Sequence, residues 1–113
     1  MDVRLVQLLG SFIAARSEYA LARLEFAMRH PASPSPPVID RLTDASERAL
    51  REEWPNLENQ LGAGMAYARR LERRRRGGAP DDASDRRLAR SLRELDQYAR
   101  AIRWVLTVTE SDR

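Results

Sequence analysis

Leu88, Leu92, Leu95, Ala99, Ile102 and Leu106 are separated by alternating steps of four and three. A half-buried strand would alternate at every second residue, whereas this rhythm marks a helix that buries one stripe against a neighbour. The chain is therefore constrained to pack helices by their stripes. The same rhythm opens it. From Asp2 to about His30 there is no Pro and a single Gly10, and Leu5, Phe12, Tyr19 and Phe26 recur at seven-residue spacing. Leu8, Ala15 and Ala22 follow three residues after the first three of these, and Val6, Ile13, Ala20 and Ala27 form a second line beside them. The stripe is wider than a two-stranded coiled coil requires, which predicts that the first helix touches more than one element.

Breaks divide the rest. PASPSPP, residues 31–37, holds four prolines and ends the first helix, because Pro removes a donor and restricts the residue before it. Ser35 before Pro36 reads as an N-cap with Pro at the first helical position. That predicts a second helix over 36–54, through Val38, Leu42, Ala45, Ala49 and Leu50 to Trp54. Pro55 predicts a break, and Leu57, Leu61, Met65, Ala68 and Leu71 a third helix over 56–76. Gly62 and Gly64 each weaken that helix if interior, and are read either as kept for a close helix crossing or as tolerated on an exposed face. GGAPDDAS then predicts a turn over 77–83 before a helix over 84–109.

The expected fold is all-α: one domain over 1–113, an elongated bundle of about four helices, or three if Pro55 only kinks, with a long N-terminal helix over 2–30. Such a helix measures about 42 Å, while a compact domain of this size has a radius of gyration near 13 Å. The bundle must be elongated, or the first helix must protrude. The second option predicts a homo-oligomer, a dimer through Leu5, Leu9, Phe12, Tyr19 and Phe26.

Composition narrows function. There is no Cys, and His30 is the only imidazole. Disulfides, thiolate sites and Cys nucleophiles are excluded, and zinc, haem and copper centres are disfavoured. Neither a metal nor a cofactor is expected. Glu18 and Glu25 share a helix face without a partner motif, and Arg23 with His30 is too little to build a nuclease. The expectation is a non-enzyme with no small-molecule substrate. The uncharged run Leu5 to Ala15 falls far short of the ~20 residues of a membrane helix, so no membrane association and a cytoplasmic location are expected.

Charge points to a partner. All 20 basic residues are Arg, and the net charge is +3. Residues 1–68 carry seven Arg against nine acids, and residues 69–113 carry thirteen against eight. RRLERRRR, residues 69–76, holds six of them. Arg86, Arg90, Arg93, Gln97, Arg100 and Trp104 lie within about 40° of one line on an ideal helix. Such a stripe is either a solvated face or a binding face. Read as a binding face, Arg69, Arg70, Arg73, Arg74, Arg86, Arg90, Arg93, Arg100 and Trp104 meet an acidic protein or a nucleic acid. The function expected is an assembly subunit that self-associates through its first helix and presents these residues. The alternative is a small helical protein that binds RNA or DNA directly.

Overall fold

The structure is a computed structural model that describes residues 2–42, 46–80 and 82–111. It contains three long helices, α1 (Val3–Arg29), α2 (Glu47–Arg76) and α3 (Ala83–Ser111). The fold is all-α, as expected, but two predicted boundaries are wrong. Residues 36–42 are not helical, so Ser35 caps nothing. The second helix is capped instead by Ser46, whose Oγ accepts from the Ala49 N–H at 3.2 Å. Ala45, counted into that helix, lies outside the described residues. Pro55 sits inside α2 without ending it. Its ring is exposed, on the side of a helix where water can replace a missing backbone bond. The buried positions Leu50, Trp54, Leu57, Leu61, Gly64, Ala68 and Leu71 keep one unbroken rhythm through it. Helices 36–54 and 56–76 are thus one helix, begun later.

α3 is the central element and packs on both other helices. Its buried positions, including Leu88, Leu92, Leu95, Ala99, Ile102, Val105 and Leu106, accordingly cover a broad arc. α1 and α2 run parallel to each other and antiparallel to α3. They meet through large rings: Phe12 lies 6.2 Å from Trp54, and Phe26 stands edge-on to Tyr67 at 6.0 Å between centroids.

Two parallel helices joined in sequence require the chain to travel back along their whole length. After a turn closed by the Ser33 N–H on the His30 carbonyl at 3.1 Å, residues 34–42 begin that return without helix, seated between α1 and α2. Proline favours extended backbone, which has no internal hydrogen bonds and leaves its carbonyls needing donors. The helices supply them. Tyr67 Oη donates to the Pro34 carbonyl at 2.6 Å, Arg23 Nε to Pro36 at 2.9 Å, Tyr19 Oη to Pro37, and Arg16 Nε to Ile39 at 3.0 Å. Burial pushes the Tyr19 hydroxyl up to about 12, so it remains a donor at neutral pH. Ile39 closes the core beneath, and the Gln60 amide brackets Asp40.

The molecule measures 51 × 23 × 20 Å, long enough to hold α1 along its axis without protrusion. Gly62 faces open space, whereas a Cβ on Gly64 would lie 2.8 Å from Leu92 Cδ2. Of the two glycines, Gly64 marks the close crossing of α2 on α3. Among the described residues no helix is long and apolar enough to cross a membrane.

Candidate anion-binding surface

The last turn of α2 carries Arg73, Arg74, Arg75 and Arg76. Cations there interact favourably with the helix dipole, and they often bond the final carbonyls as well. Here that second task is already done by the backbone. The Gly77 N–H donates to Arg73 O at 2.9 Å, Ala79 to Arg74 O at 3.1 Å and Gly78 to Arg75 O at 3.2 Å. Gly78 makes this turn at φ +94°, where glycine is favoured. The guanidinium groups are left for other work. Arg69, Arg70 and Arg73 to Arg76 are all exposed, and none has a carboxylate within 4.0 Å among the described residues.

Each predicted residue of the α3 stripe is exposed, yet the stripe divides. Glu72 of α2 grips Arg93 through both oxygens, with Nε to Oε1 at 2.7 Å, and this pairing raises the Arg93 pKa. Arg100 is held by Asp96 one turn away at 2.9 Å. Arg86 and Arg90, with Arg93 and α2's Glu72, instead line a cleft with Arg75. Arg75 belongs to the surface although the stripe and the residues chosen from the run did not include it; the signal was the arginine run itself. Trp104 lies towards the other end, 59% exposed, with the Arg4 guanidinium 5.5 Å above its ring. Arg100 and Trp104 are therefore separate from the cluster. What comes together is one basic end of the bundle, built from the end of α2 and the start of α3.

No family model, curated protein or solved structure matches the chain. Function has to be read from these side chains.

The residues assigned to self-association are placed elsewhere. Leu5, Leu9, Phe12, Tyr19 and Phe26 are at most 4% exposed and form the chain's own core against α3, α2 and the extended segment. An interface needs surface, and these side chains have none to offer.

A second polar group, missed in the sequence, joins the end of α1 to the start of α3. His30 Nε2 lies 2.8 Å from Asp82 Oδ2, 3.2 Å from Asp85 Oδ1 and 3.4 Å from Ser84 Oγ. The three ligand-type residues His30, Asp82 and Asp85 are close enough together to surround a cation. Asp82 has a structural role that needs no cation. Asp82 caps α3, with Oδ1 accepting from the Ser84 N–H at 2.8 Å and from Ser84 Oγ at 2.9 Å. These bonds, with His30 and Arg29 beside them, lower the Asp82 pKa.

The cap makes a pH-dependent prediction. A carboxyl whose pKa is lowered by folding stabilises the fold above its unfolded pKa, and loses that contribution as pH falls through the folded value. Asp82→Ala should cost about 1 kcal/mol at neutral pH, the usual worth of an N-cap. Thermal melts followed by circular dichroism should show parent and variant converging as the pH is taken below the ordinary carboxylate range. A constant difference down to acid would mean that Asp82 acts through packing instead of charge.

Proposed function

We propose that this protein is a non-enzymatic nucleic-acid-binding module that holds the phosphate backbone with the basic end formed by α2 and α3. The observation that carries the reading is the company these arginines keep. Protein-binding surfaces centre on buried apolar or aromatic anchors and surround them with charge. None of the exposed large apolar side chains among the described residues lies on the last two turns of α2 or the first half of α3. The surface offers guanidinium forks in excess, with Glu72 and Glu94 the acids that line the cleft between its halves. Forked donors suit phosphate oxygens, and contacts of this kind position a protein on nucleic acid without reading its sequence. The Glu72–Arg93 pair supports the reading by bracing α2 against α3, which fixes the two halves of the surface relative to each other.

Fluorescence anisotropy tests this directly, with nuclease-treated protein titrated into labelled mixed-sequence RNA and duplex DNA at several salt concentrations. The expected result is binding at low salt, insensitive to sequence, with log affinity falling linearly in log salt by roughly 0.7 to 0.9 per phosphate engaged. No binding at low salt would overturn it. Tighter binding to polyglutamate than to either nucleic acid would reassign the surface to an acidic protein.

A further inference from the structure

Among the described residues, nothing covers the outward face of α1. Val3, Val6, Ile13, Leu21, Leu24 and Met28 are between 49% and 76% exposed. With Gly10 and Ser17 they recur at steps of three and four along the whole helix. At roughly 100° per residue all eight fall within about 40° of one line, nearly opposite the buried stripe. No charged residue interrupts the band, although charged residues make up 33% of the chain. We propose that this band packs against the same band of a second copy of the chain, with the two α1 helices head to tail.

Three observations favour a second copy as the occupant. The spacing is that of a heptad seam with one four-residue stutter at Ser17, so one stripe supplies both the knobs and the holes that a like partner needs. From Val3 to Met28 the seam runs about 38 Å at 1.5 Å per residue, and two helices in contact over that length bury on the order of 1,000 Å², the lower threshold for a specific interface. Gly10 supplies the third. A Cβ there would meet nothing within 4 Å, so no packing among the described residues accounts for a residue that costs a helix about 1 kcal/mol relative to Ala. With Ala14 and Ser17 it leaves a low stretch near mid-helix where two backbones can approach.

Charge decides the orientation. Met28 lies at the Arg-rich end of the bundle, while Val3 lies at the end where Glu47, Glu52, Glu53 and Glu110 stand among Arg4, Arg48, Arg51 and Arg103. A parallel pair would set two basic ends side by side. The head-to-tail pair sets each basic end beside one of mixed charge and so avoids that repulsion. Dimerisation does not depend on the phosphate-binding reading, and the two fail separately.

The test is size-exclusion chromatography with light scattering on the full chain at about 100 µM, where a dimer with a Kd near 10 µM is largely formed. Parent protein should have twice the 12.9 kDa chain mass. Ile13→Glu with Leu24→Glu should give the single-chain mass with the parent's helical spectrum and no fall in thermal midpoint beyond that of losing the dimer. A monomeric parent would overturn the proposal, and so would a variant that stays dimeric. Because the chain has no Cys, orientation can be read by oxidation. Val3→Cys mixed with Met28→Cys should cross-link to a heterodimer, whereas cross-linking of Val3→Cys to itself would overturn the head-to-tail arrangement.

Discussion

Phe12→Glu is expected to leave the chain without a cooperative thermal transition at neutral pH. The ring is 1% exposed and packs against Trp54 across the gap between α1 and α2. Removing a buried Phe costs about 3 to 5 kcal/mol through lost transfer energy and the cavity left behind. The carboxylate adds to that, because a charge placed in an apolar interior is costly even with Arg16 and Arg41 lining the hollow beside Phe12. Domains of this length hold only about 5 to 15 kcal/mol in total, so the sum approaches or exceeds what is available. Circular dichroism melts would show a sloping baseline in place of a sigmoid. The contrast with Ile13→Glu, one residue further along the same helix, makes the measurement informative. Ile13 is 49% exposed, and its replacement should leave a folded chain. A Phe12→Glu protein that melts cooperatively near the parent's midpoint would mean that α1 buries its other face.

That contrast shows where the sequence was legible and where it was not. Periodicity located the buried stripes: the seam from Leu88 to Leu106 is buried throughout, and Leu5, Phe12, Tyr19 and Phe26 are all core. Periodicity does not say whether a stripe is buried by its own chain or by another. The length of α1 pointed to an outside partner for the buried stripe; a bundle 51 Å long supplies an inside one. The face left over was visible too, in Val6 and Ile13, but only the positions of α2 and α3 identify it as the uncovered one. Pro55 was legible in principle, since Leu50, Trp54, Leu57 and Leu61 hold register across it, and a true break would have released that register. The extended return was not. Ser35–Pro36 carries a sound local helix-start signal, and what overrides it is tertiary: α1 and α2 are parallel, so the connection must stay long. The side chains that hold it, Arg16, Tyr19, Arg23 and Tyr67, lie on two helices and share no local pattern.

Reversing three arginines, Arg69→Glu with Arg73→Glu and Arg76→Glu, should lower nucleic-acid affinity by more than 100-fold at low salt and flatten the salt dependence by nearly one unit for each phosphate no longer engaged. These three lie within about 60° of one another around α2, on the exposed flank beside α3. The fold should survive. Their removal forfeits favourable dipole interaction worth about 1 kcal/mol in all, which moves the thermal midpoint by a few degrees. Net charge alone would also weaken binding, so the control must change charge equally elsewhere. Arg41→Glu with Arg48→Glu and Arg103→Glu makes the same change at exposed positions nearer the other end. If the phosphate site is local, this control should lose only the long-range part of the attraction, which falls away over about 10 Å at 0.1 M salt. Equal losses in the two triple variants would mean that affinity follows overall charge. In that case the arginine end is an ordinary solvated surface, and the Glu72–Arg93 pair is a brace between helices and nothing more.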